Sequence, residues 1–209
     1  SGPSASLEVE HWDGTSWAET TEVNTGRQQG GGAGTQTAGL FVCGYTWPSP
    51  GVRNLTELWD GTSWTEVSDT NESKYLIGSG GTQTAAIVCG GNPAIVNTEI
   101  WDGSSWTEVN DMNTARRYLN GAGISTAALA AGGTNPAPTN TAYVELWDGT
   151  NWTTSPASLA TARGGGAGFG TTTAALMAGG VAGPGKVATT EEFTGESTAT
   201  QAIKTVDFD

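Results

Sequence analysis

One histidine, two cysteines and two methionines are all that the 209 residues hold of nitrogen and sulfur metal ligands. A lone His11 excludes His-rich metal sites and most His-based acid–base schemes. Positive charge is scarce too: 8 Lys and Arg stand against 21 Asp and Glu, a formal net charge of −13. Such a surface repels phosphate backbones and anionic leaflets, so no nucleic-acid partner is expected. No apolar run approaches the roughly 20 residues of a membrane-spanning helix, so no membrane insertion is expected. Nor is there a Ser-His-Asp set, a CxxC, an HExxH or a Gly-Lys-Thr phosphate loop. No enzyme activity and no cofactor are therefore expected.

Glycine and tryptophan are what the chain has in excess, 32 and 9 residues. Glycine and low charge alone would favour disorder. The tryptophans argue otherwise, because they repeat. HWDGTSW at Trp12–Trp17 returns as LWDGTSW at Trp59–Trp64, IWDGSSW at Trp101–Trp106 and LWDGTNW at Trp147–Trp152. The spacings of the first Trp are 47, 42 and 46 residues. Glu10, Glu57, Glu99 and Glu145 precede the copies. TAGLFVCG from Thr37 likewise recurs from Thr84, Thr126 and Thr173, each time ten residues after Arg27, Lys74, Arg116 or Arg163. Gly34, Gly81, Gly123 and Gly170 stand three residues before the same threonines.

Each unit reads as four short strands. Strand A is glycine-rich, B is the small-apolar run ending in Gly-Gly, C precedes Trp-Asp-Gly, and D starts at the second Trp. A four-stranded unit of this period is a β-propeller blade. The expected fold is all-β, a small propeller.

The order of basic residue, GAG strand, Gly-Gly strand, acidic-aromatic strand and Trp resembles the kelch repeat. The string WDGTSWTEVNDMNTARRYLNGAGISTAALAAGG is similar to kelch-type repeats of marine bacteriophage structural and tail proteins. The likeness covers residues 1–195, with repeats at about 1–44, 45–91, 92–133 and 134–180 and a partial one at 181–195. Two departures matter: the A–B turn is very short, and Trp replaces the usual Tyr of strand C. The resemblance implies a virion or extracellular surface protein whose partners are other such proteins or glycans. Oxidase chemistry on a kelch scaffold requires two histidine ligands, which this chain lacks.

Residues 1–14 align without gaps on 182–195, so the chain begins in mid-blade. The expectation is a processed, engineered or excised piece of a longer protein. Four closed blades are favoured, the N-terminal C and D strands (residues 7–20) joining the C-terminal A and B strands (164–180). The alternative is five positions with one half-empty, in which the tail, 196–209, supplies a closing or docking strand. An oligomer is compatible with either.

The tryptophan pairs Trp12/Trp17, Trp59/Trp64, Trp101/Trp106 and Trp147/Trp152 bracket tight hairpins. Packing between blades is favoured over sugar stacking, since one pair per blade at a fixed position is what a core demands. Asp13, Asp60, Asp102 and Asp148 read as turn formers. The basic residue of each blade is expected to pair with a strand-C glutamate rather than build a cationic ring. His11 replaces an aliphatic and reads as a packing variant. Cys43 and Cys89 are one position out of register, which places them on opposite strand faces as free thiols.

Strand order puts the B–C and D–A loops on one face. The B–C loops vary most, and Tyr45–Asn54 is the longest. Tyr45, Trp47 and Arg53 are its candidate ligand-binding residues, because aromatics and Arg dominate binding hot spots.

Overall fold

The structure, a computed structural model, describes residues 7–47 and 51–195 and the backbone of 204–206. Residues 1–6, 48–50 and most of the 196–209 tail, on which parts of the closure and loop expectations fell, lie outside the described residues. Among the described residues every regular element is a strand. The N-terminal strands β1 (Val9–Trp12) and β2 (Trp17–Thr20) form a hairpin of their own. Blade 1 follows with β3 (Gly31–Thr35), β4 (Ala38–Thr46), β5 (Gly51–Trp59) and β6 (Trp64–Glu66). Blade 2 is β7 (Gly78–Thr82), β8 (Ala85–Cys89), β9 (Thr98–Trp101) and β10 (Trp106–Val109). Blade 3 is β11 (Asn120–Ile124), β12 (Ala127–Ala131), β13 (Val144–Trp147) and β14 (Trp152–Thr154). Each is an antiparallel A-B-C-D meander, as the repeat predicts. The arrangement is that of a four-bladed propeller.

Blade 4 corrects the expected closure. Its strands are β15 (Ala167–Gly170), β16 (Ala175–Ala178), β19 (Thr190–Phe193) and β20 (Lys204–Val206), with a small hairpin, β17 (Val181–Ala182) and β18 (Gly185–Lys186), between β16 and β19. β19 occupies the edge of β16, and β20 from the tail occupies the edge of β19. Both edges of β16 are thereby taken, and among the described residues β1 pairs only with β2, so residues 7–20 do not share a blade with 164–180. The surplus strand C and the tail complete blade 4, while β1–β2 stands apart as a half-blade.

Glycine in strand A has a packing reason. Strand β3 packs on β7, β7 on β11, and β11 on β15. At Gly121 a Cβ would lie 2.4 Å from the Ser79 carbonyl oxygen, so only glycine permits that approach. The blades enclose three apolar clusters at successive interfaces. Leu40 and Val42 of blade 1 meet Trp101 and Trp106 of blade 2. Ile87 of blade 2 meets Trp147 and Trp152, and Leu129 of blade 3 meets Met177 and Phe193. Cys43 and Cys89 are free and buried, in different clusters, and burial pushes their thiols up to about 11 and about 12.

Every blade carries the expected ion pair: Arg27–Glu57, Lys74–Glu99, Arg116–Glu145 and Arg163–Glu191, all essentially without solvent. Each ties the loop before strand A to strand C of the same sheet.

The aspartates make the turns assigned to them. Asp60 accepts from the Thr62 hydroxyl at 2.7 Å and from the backbone N–H groups of Ser63 and Thr62 at 2.8 Å. These bonds, the Thr62 hydroxyl foremost, hold its pKa at about 2 against an ordinary 3.8. The Ser104 hydroxyl does the same for Asp102, also at about 2. Backbone donors alone lead at Asp13 and Asp148, and lower both. A depressed carboxylate stabilises the fold above its unfolded pKa, and that contribution is lost as pH falls through the folded value. The Thr62 amide resonance should therefore titrate near pH 2. A midpoint near 3.8 would mean that the turn is not formed in solution.

Candidate functional site

The segment expected to be the longest B–C loop is largely strand. β4 and β5 continue past the blade body, pairing Gly44 with Arg53, Tyr45 with Val52 and Thr46 with Gly51. A bulge between Val42 and Gly44 makes this extension possible, with Cys43 at φ 59° and Gly44 at φ 112°. Tyr45 and Trp47 stand two residues apart and share a face, their ring centroids 6.3 Å apart. Arg53 pairs with the neighbour of Tyr45, so its side chain leaves by the other face. Of the three candidates, Tyr45 and Trp47 come together and Arg53 does not join them.

Their companions come from the D–A loops. Tyr75, directly after the ion-paired Lys74, lies 5.4 Å from the Tyr45 ring. Tyr118 and Arg117 follow Arg116 in the next blade. Together with Gln28 these side chains line a cleft of about 370 Å³. That is within the usual range of small-molecule sites, roughly 300–1,000 Å³. Trp47 and Tyr118 present 47% and 39% of their surface to solvent. Asn92, on the B–C loop of blade 2, receives Arg117 on its amide oxygen and donates to the Tyr75 hydroxyl at 2.6 Å. Asn92 thereby fixes both neighbours.

The backbone beneath is equally constrained. Gln29, Leu76 and Tyr118 adopt φ of 61°, 59° and 56°, and Gly165 takes 71° at the same repeat position. Non-glycine residues rarely hold that conformation. Here it is held by bonds that run from blade to blade: Leu76 N–H to Gln29 O, Tyr118 N–H to Leu76 O, and Gly165 N–H to Tyr118 O, at 2.7–2.8 Å. Tyr118, itself held at positive φ by this ladder, lines the cleft.

Sequence reasoning missed Tyr75, Asn92, Arg117 and Tyr118. A signal was present: the two residues after the basic residue read Gln-Gln, Tyr-Leu, Arg-Tyr and Gly-Gly. They vary as freely as the B–C loops, on the same face. The eight blade tryptophans lie elsewhere. Trp59, Trp101, Trp106, Trp147 and Trp152 are buried and Trp64 half-buried, whereas Trp12 and Trp17 are exposed. His11 sits beside Trp12 on the half-blade, apart from the cleft. No protein-family model matches the chain, and a search of curated proteins finds no match.

Proposed function

We propose that the protein is a non-enzymatic binding propeller whose Tyr45–Trp47–Tyr75–Tyr118 cleft takes a saccharide. The observation that carries this reading is the cleft's composition. Aromatic faces from three chain segments surround it, with amide and guanidinium groups between them. A sugar ring offers apolar C–H faces and a rim of hydroxyls, and the cleft supplies rings for the first and Asn92, Arg117 and Gln28 for the second. No carboxylate lines it, although the protein is strongly acidic. Neutral and acidic sugars are therefore both admitted. The kelch-like, phage-like wording of the repeats favours a virion or extracellular surface component that uses this cleft for attachment.

A glycan array identifies the ligand, and titration with it tests the site. Trp47→Ala should weaken binding at least about tenfold, equivalent to ~1.4 kcal/mol. Tyr75→Ala should do the same, while the melting temperature of Trp47→Ala stays within a few degrees, since the residue is outside the apolar clusters. Trp17→Ala removes another exposed tryptophan and should leave sugar binding unchanged. Loss of binding in Trp17→Ala with retention in Trp47→Ala would move the site to the half-blade.

A further inference from the structure

The floor of the cleft is electrically balanced except at one residue. Arg27, Lys74 and Arg116 stand immediately before Gln28, Tyr75 and Arg117, and a buried glutamate neutralises each of the three. Arg117 lines the cleft without such a partner, and among the described residues it makes no ion pair. Counter-ions are plentiful in this chain, which has 21 Asp and Glu to 8 Lys and Arg. Yet among the described residues no carboxylate lines the cleft, and Arg117 is its one cation.

Neutral groups hold this guanidinium in place. One terminal nitrogen of Arg117 donates to the Asn92 amide oxygen, and the Asn92 amide nitrogen donates to the Tyr75 hydroxyl at 2.6 Å. The Asn92 main-chain N–H also donates to the Tyr75 carbonyl, at 2.8 Å, so one cleft residue grips Asn92 twice. Paired main-chain bonds with Thr134, at 3.0 and 2.7 Å, fix the Arg117 backbone in turn. Among the described residues the buried Arg117 Nε finds no acceptor. The charge is thus oriented, but it is neither cancelled nor fully hydrogen-bonded. A partly buried donor in that state gains from an incoming anionic acceptor.

We infer that the cleft selects sugars bearing a carboxylate, of the uronic-acid type, over their neutral counterparts, and that Arg117 is the selecting residue, a narrowing that rests on the saccharide reading above. A pyranose stacked on an aromatic face carries an equatorial C6 carboxylate at its rim, where groups that flank the ring can meet it. A planar carboxylate matches the guanidinium fork and accepts shorter, stronger bonds from it than a hydroxyl does. The surplus of acid elsewhere in the protein does not cancel this preference. The glutamates behind the cleft are paired with Arg27, Lys74 and Arg116. Exposed carboxylates farther away than about 8 Å are largely screened at physiological salt.

The test presents the full chain with a glycan array that carries neutral oligosaccharides, hexuronate oligosaccharides, their carboxyl-reduced forms and sulfated forms. The parent should bind an acidic member at least about tenfold more tightly than its carboxyl-reduced form. Arg117→Gln should bring that ratio to about one, and Arg117→Lys, which keeps the charge without the fork, should retain part of it. Arg53 leaves the β4–β5 ribbon by the other face, so Arg53→Gln should keep the parent's ratio, which separates a contact in the cleft from a general effect of charge. The parent's own ratio needs no substitution, so the test stands even where a variant fails to fold. Equal binding of acidic and reduced forms, or binding of neutral glycans alone, overturns the inference and leaves the saccharide reading standing. An unchanged ratio in Arg117→Gln also overturns it, by making Arg117 a structural residue. Tighter binding of a sulfated form than of the carboxylated one overturns the assignment to a carboxylate. Binding of no glycan at all removes the saccharide reading and the inference together.

Discussion

Glu145→Ala should destabilise the protein by about 3–5 kcal/mol, the cost of leaving a buried charge without its partner. Arg116 is fully buried. One of its terminal nitrogens donates to the Gly132 and Tyr143 carbonyls at 2.8 and 3.0 Å, and the other to Glu145 Oε1 at 2.8 Å. The second carboxylate oxygen accepts from the backbone and side-chain nitrogens of Asn113 at 2.6 and 2.9 Å. Truncation therefore strands a buried guanidinium, whereas the two Asn113 donors, on an exposed residue, can turn to water. In a chain of this size the melting temperature should fall by roughly 6–20 °C. Glu10→Ala, at the same repeat position but exposed, should stay within about 0.5 kcal/mol of the parent. The double substitution Arg116→Met with Glu145→Leu should recover much of the loss, because a buried pair contributes little beyond an apolar pair of similar shape. Urea unfolding of the four proteins checks all three statements. A cost below about 1 kcal/mol for Glu145→Ala, the range of a surface pair, would mean that solvent reaches the blade interior.

These pairs were legible before any coordinates, because a cation and a carboxylate each recur once per repeat. So were the strands, the aspartate turns and the unpaired cysteines, since each follows from a residue's chemistry within its own repeat. A further letter passed unnoticed: Asn24, Asn71 and Asn113 stand three residues before the cation and cap the same carboxylates. Closure was not legible. The segments at 7–20 and 189–195 carry nearly the same strand-C wording, so periodicity cannot say which of them pairs with β16. Adjacency in the chain decided it, β19 following β16 closely through a short hairpin. The extended β4–β5 ribbon was hidden for a different reason. Proline and glycine at 48–51 read as loop punctuation over the whole of Tyr45–Asn54, whereas the bulge at Cys43 let the two strands pair almost to the tip. The cleft was not legible because part of it comes from D–A loops, where the recurring cation carries the period and its neighbours vary without one.

The tryptophans turn the half-blade into a measurement. Trp147 and Trp152 stack with centroids 5.5 Å apart and planes at 44°, and Trp12 and Trp17 show the same two values. The hairpin alone thus fixes the pair. What differs is the neighbour. Trp147 is 2% exposed, donates from Nε1 to the Ser125 carbonyl at 2.8 Å, and packs on Ile87 of blade 2. Trp152 donates to the Thr98 hydroxyl of blade 2 at 2.9 Å. Trp12 and Trp17 are 42% and 63% exposed. Truncating a fully buried tryptophan costs about 3–5 kcal/mol, from lost transfer energy and the cavity left behind. Trp147→Ala should fall in that range, while Trp12→Ala, losing mainly its contact with Trp17, should cost about 0.5–1.5 kcal/mol. The expected difference, at least about 2 kcal/mol, is large for urea unfolding of one scaffold. Equal penalties for Trp12 and Trp147 would show that a neighbour covers Trp12 in solution, against its 42% exposure.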